Sequence, residues 1–199
     1  MVEVVRWVMR WIWVLGLLFW TTLTHAGAEI ESLRLERRDN DLVFSASLKL
    51  ELGGAVEDAV SKGVPLHFVA QAELVRDRWY WYDQRLAQVN RYYRLAYQPF
   101  TRQWRLQVAS EPIVATGASA TLAQNFDSLQ LALDSVRQQS GWRLTEIASL
   151  QTNARYHVNY QFRLDLTQLP RAFQIEAGSQ SDWNLELTRM HRFSLDARP

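Results

Sequence analysis

The sequence predicts a β-rich α+β fold: mostly antiparallel, sandwich-like sheets with one well-formed helix packed on them. Three observations carry that expectation. Leu42–Leu52, Leu66–Leu74 and Tyr156–Leu166 alternate apolar and polar residues, the period-two mark of strands with one buried face. Phe126, Leu129, Leu133 and Val136 recur at helical spacing. Finally, 48% of the 199 residues are hydrophobic, 12% are aromatic and none is cysteine. Such a chain depends on its core, with no disulfide to help.

Residues 1–28 are read as a signal peptide. Arg6 and Arg10 form a basic start, and the 13 residues from Trp11 to Leu23 carry no charge. Ala26 and Ala28 then provide the small-x-small spacing of a cleavage site, so cleavage is placed before Glu29. An uncleaved anchor is the minor alternative, since about 18 apolar residues are needed to span a bilayer. Either reading exports residues 29–199 as a single β-rich domain, in the periplasm or secreted. Without Glu3, Arg6 and Arg10, that domain has 20 basic and 20 acidic residues. Only Lys49 and Lys62 are lysines; the other basic residues are arginine, whose planar fork makes stacked and bidentate contacts that lysine cannot.

Ile30–Arg37 and Leu42–Leu52 read as a hairpin around Arg38-Asp39-Asn40-Asp41. Ala55–Lys62 reads as a short helix stopped by Gly63. The strand that starts at Leu66 is expected to run on to Tyr82. Asp83–Asn90 is read as a polar connection, followed by strands at Arg91–Gln98 and Arg102–Ala109 and a loop over Ser110–Thr121. The helix over Phe126–Val136 has Asn125 or Asp127 as its cap and Gly141 just past its end. Phe173–Ala177 and Trp183–Leu187 are expected to be extended, and Arg192–Asp196 closes the chain.

Six pieces of sequence recur together: Gly63-Val64-Pro65-Leu66, Arg78-Trp79-Tyr80-Trp81, Tyr93-Arg94-Leu95-Ala96-Tyr97, Thr101–Leu106, Leu164–Pro170 and Phe173-Gln174-Ile175. As a set they resemble the bacterial family called domain of unknown function 4390, over nearly the whole exported part. The resemblance implies an exported, periplasmic proteobacterial protein whose gene often lies beside a nitrogen-type sensor kinase. It implies no catalytic residue.

Several classes of chemistry are absent from the sequence. The lack of cysteine removes thiol catalysis and cysteine-held metals. No G-x-S-x-G, S-x-x-K or glycine-rich phosphate loop occurs. His67, His157 and His191 show no metal-ligand spacing, so no catalytic residue, metal or cofactor is assigned. Near-neutral charge and export argue against nucleic acid. Charge is nevertheless unevenly spread. Residues 76–105 hold seven arginines and nine aromatics against Asp77 and Asp83, a net charge of +5. Arginine and aromatic side chains interleaved on strands can form a binding face for an anionic partner. Alternation predicts a β-bulge or break between Val75 and Arg78 that turns Trp79 and Trp81 inward. Arg76, Arg78 and Tyr80 would then lie outward beside Tyr92, Arg94 and Arg105. The expected function is a non-catalytic envelope module that uses these six residues to bind an envelope protein or an anionic envelope component. It would meet the membrane only during export, and a sensor kinase is its possible neighbour. The alternative is a cell-wall or glycan-processing enzyme with paired carboxylates.

Overall fold

The computed structural model describes residues 28–80, 82–113, 121–178 and 180–195; the leader read from the sequence, apart from Ala28, lies outside them. Among the described residues, no helix is long and apolar enough to cross a membrane.

Two antiparallel sheets form a sandwich with a shared core. The smaller has the order β1 (Glu29–Arg38), β2 (Asp41–Lys49), β7 (Gln138–Glu146). The larger has the order β6 (Leu122–Phe126), β5 (Gln103–Ala109), β4 (Gln84–Gln98), β3 (Leu66–Arg76), β8 (Arg155–Leu164), β9 (Glu186–Ser194). The alternation read from the sequence sets the faces. Phe44, Ala46 and Leu48 of β2 are buried, as are Phe68, Ala70, Ala72 and Leu74 of β3 and Tyr156 through Leu164 at even positions of β8. Between the sheets, Phe44 and Trp142, paired neighbours in the smaller sheet, both meet Tyr160 of the larger, at 5.3 Å and 6.2 Å between ring centroids.

Helix α1 (Gly54–Ser61) closes one end of the sandwich with Val56, Ala59 and Val60. Lys49 and Lys62 flank it in sequence. Gly53, just before it, has Asp182 against its backbone: a Cβ there would stand 2.6 Å from the Asp182 Cβ. Helix α2 (Leu129–Arg137) carries the chain from the larger sheet to the smaller and buries Leu129, Ala132, Leu133 and Val136. Its cap is Ser128, whose side chain accepts a hydrogen bond from Leu131 N, and not Asn125 or Asp127. Asn125 is committed to β6 instead.

Four further differences from the sequence reading have local causes. Residues 84–90 are strand, because β3 pairs along their whole length, with Gln88 opposite Glu73 and Asn90 opposite Gln71. Gly141 does not end α2. It lies inside β7 with φ +74°, where the pairing with β2 slips between Phe44 and Ala46, and glycine tolerates this left-handed backbone. Residues 171–177 form helix α3 rather than a strand, with Phe173 N bonded to Pro170 O; proline suits a helix start. Trp183 closes a short 3-10 turn and is buried, and β9 begins only at Glu186.

One buried polar pair fixes the junction of α2 and β7. Tyr160 OH donates to Gln139 Oε1 at 2.8 Å, and Gln139 Nε2 donates to Val136 O at 3.2 Å. Burial pushes the Tyr160 phenol pKa up, which keeps it a donor. Tyr160→Phe leaves the Gln139 oxygen without its donor and should cost about 1–3 kcal/mol in urea denaturation. A change near zero would show that the amide finds another partner.

Candidate functional site: an arginine and aromatic cleft

A cleft of about 880 Å³ lies where β3 ends and β8 begins. One wall is Arg76, Arg78, Trp79 and Tyr80; the other is Gln151, Asn153 and Arg155. Pairing of β3 with β8 sets Arg76 opposite Tyr156, and Asp77 N continues the ladder by donating to Arg155 O at 2.9 Å. The second wall is tied to the core through Tyr156. This side chain is 1% exposed, and its hydroxyl accepts from Gln151 N at 2.7 Å and donates to Gln151 O at 3.1 Å.

Two guanidinium groups converge at the mouth. Arg76 donates to Gln84 Oε1 at 2.5 Å, and Arg78 donates to the same oxygen. One neutral acceptor thus holds two like charges close together. Among the described residues, no carboxylate forms an ion pair with Arg76, Arg78 or Arg155. The nearby acids have other roles. Asp77 Oδ1 is 2.5 Å from Nδ1 of the buried His157, and Asp83 Oδ1 accepts from Arg78 N at 3.1 Å, closing the turn. The ligand atoms of Asp77, Asp83 and His157 lie within 4.8 Å of one another. As placed, Asp77 and His157 bond each other rather than an ion. Beside the guanidiniums, Trp79 and Tyr80 meet edge to face at 4.8 Å and are 92% and 71% exposed.

The six residues picked from the sequence therefore form two groups. Arg76, Arg78 and Tyr80 line the cleft. Tyr92, Arg94 and Arg105 lie on the outer face of the larger sheet, where Arg94 donates to Gln107 at 2.9 Å. Arg94 is opposite His67 on β3, nine residues from Arg76, a separation of about 30 Å at the usual strand rise. Between Val75 and Arg78 the strand breaks, at Arg76, and the register slip is in the neighbouring strand. The slip falls between Leu74 and Val75 and adds its extra residue, Leu86, to β4, while β3 stays in step with β8 through Arg76. Arg76 thus keeps the inward parity of Leu74 and is half-buried at the rim of the core, opposite the buried Tyr156. Trp79 does not turn inward: β3 stops at Arg76, and no strand remains to aim it. Trp81 lies outside the described residues. Arg155, Asn153 and Gln151 were missed because only the β3–β8 pairing brings them to the cleft.

On the outer face, burial and the neighbouring Arg94 charge hold the His67 pKa below 6.5, with Asp165 opposing. The unfolded chain then binds the proton more readily than the folded one. This contribution to stability is present above pH 6.5 and is lost as pH falls through the lower folded pKa. His67→Asn should flatten the loss of stability on the acid side of that value in urea titrations at stepped pH. An unchanged slope would place the titrating group elsewhere.

A family model described as Domain of unknown function (DUF4390) matches residues 25–193, which takes in everything from β1 to all but the last residue of β9. No curated protein and no solved structure matches the chain.

Proposed function

The chain belongs to the DUF4390 family, and we propose that it serves as a non-catalytic binding module of the cell envelope, exported by its leader, whose cleft receives an anionic group of an envelope partner. The observation that carries this reading is the convergence of Arg76 and Arg78 on Gln84 beside the exposed Trp79 and Tyr80. Guanidinium groups without carboxylate partners favour phosphate or carboxylate ligands, and the adjacent rings offer a surface for the rest of the ligand. The glycan-processing alternative would have to draw on Asp77 and Asp83. Both are engaged, Asp77 with His157 of β8 and Asp83 with the Arg78 backbone, which is why binding is preferred to hydrolysis.

Capture from solubilised envelope with the tagged exported domain tests the proposal. Arg76→Ala with Arg78→Ala should abolish capture and leave the melting temperature nearly unchanged. Arg94→Ala with Arg105→Ala should capture as the parent does. Loss of capture in the second pair alone would move the site to the outer sheet face. Survival in both would remove arginine from the mechanism.

A further inference from the structure

We propose that the connection from β3 to β4 docks the domain on an anionic phospholipid surface, a reading that rests on the cleft being an anion site. The expectation that the membrane is met only during export is thereby extended to the folded domain.

The first ground is the kind of side chain exposed. Trp79, Tyr80 and Tyr82 are 92%, 71% and 88% exposed and fall within four consecutive positions. Other large exposed apolar residues stand apart: Phe100 at the opposite end of β4, Leu122, Leu131, Ile175 and Met190. Tryptophan and tyrosine pair an apolar ring with a polar tip, the combination that favours the headgroup layer of a bilayer over its hydrocarbon interior.

The second ground is charge. Arg76 and Arg78 stand at the root of the same connection, with Arg155 across the cleft, and none pairs with a carboxylate among the described residues. Of the two acids in the connection, Asp77 is held by His157 and Asp83 accepts from the Arg78 backbone N. Arginine forks match phosphate oxygens, and basic groups near an anionic leaflet are drawn to it. The third ground is place. The rings lie in the connection between two antiparallel strands, beyond the last core residue of β3, and Trp79 and Tyr80 share the cleft wall with Arg76 and Arg78. Rings at the tip would enter the headgroup layer while Arg76 and Arg78 receive a lipid phosphate.

The test uses the exported chain, co-sedimented with vesicles of phosphatidylglycerol in phosphatidylcholine and with phosphatidylcholine alone. Glycerol phosphate binding is measured in parallel by calorimetry. The expected result is sedimentation with the anionic vesicles only, weakened by salt. Trp79→Ala, Tyr80→Ala and Tyr82→Ala combined should weaken it about tenfold or more with the melting temperature retained, and Tyr82→Ala alone, at a ring that does not line the cleft, should weaken it with glycerol phosphate binding unchanged. Glycerol phosphate binding without vesicle binding would overturn the membrane proposal and leave the cleft as a site for a soluble anion. Equal sedimentation with neutral vesicles, or undiminished sedimentation of the aromatic variant, would also overturn it. Failure to bind either probe would remove the anion site and the membrane proposal together.

Discussion

Phe44→Ala should lower the unfolding free energy by about 3–5 kcal/mol, the usual range for a buried phenylalanine. Phe44 is fully buried and, with Trp142 beside it in the smaller sheet at 5.7 Å, packs on Tyr160 of the larger sheet at 5.3 Å. Its removal opens a cavity whose walls belong to two hydrogen-bonded sheets. Neither sheet can move inward without breaking pairs, so little relaxation is available. The urea midpoint should fall at constant slope, because the surface exposed on unfolding is unchanged. A loss under about 1 kcal/mol would mean that the sheets are held together elsewhere.

Leu133→Ala should cost about 2–5 kcal/mol. Leu133 is 2% exposed on α2, between Leu129 and Val136. The helix bridges the two sheets and is anchored at its far end by Arg137, which donates to Leu50 O at 3.0 Å. The neighbouring Leu131 is 53% exposed, and Leu131→Ala should stay within about 0.5 kcal/mol of the parent. Equal effects at the two positions would show that α2 is not packed as described.

Particular residues show why some elements were legible in the sequence. β2, β3 and β8 each set one face on the core from end to end, so Phe44, Phe68 and Phe162 fall on clean alternations. In β7 the slip at Gly141 leaves Gln139 and Trp142 both buried though three residues apart, and period two is lost. In the first half of β4, Leu86, Ala87 and Val89 pack against the core, and the extra residue at Leu86 puts two apolar side chains in succession. The alternation that would signal a strand is lost there, although pairing with β3 imposes one. In α3, with Ile175 80% exposed, there is too little apolar periodicity to reveal a helix. At the cleft, Arg76, Arg78 and Tyr80 were visible as a cluster in one segment. The assumption that a tryptophan must be buried misplaced Trp79, because it treated β3 as running past the end of the core.

The placement of the two lysines bears on how the domain can be handled. Lys49 and Lys62 flank α1, their side chains are 59% and 67% exposed, and Glu29 lies opposite Lys49 in the β1–β2 register. Leu66, where β3 leaves this end, is ten residues from Arg76 at the cleft, a distance of about 33 Å along the strand. Amine-reactive dyes, biotin esters and sensor-chip chemistry will therefore attach at the pole remote from Arg76, Trp79 and Tyr80. Immobilisation through amines orients the molecule, with the arginine and aromatic tip directed away from the support.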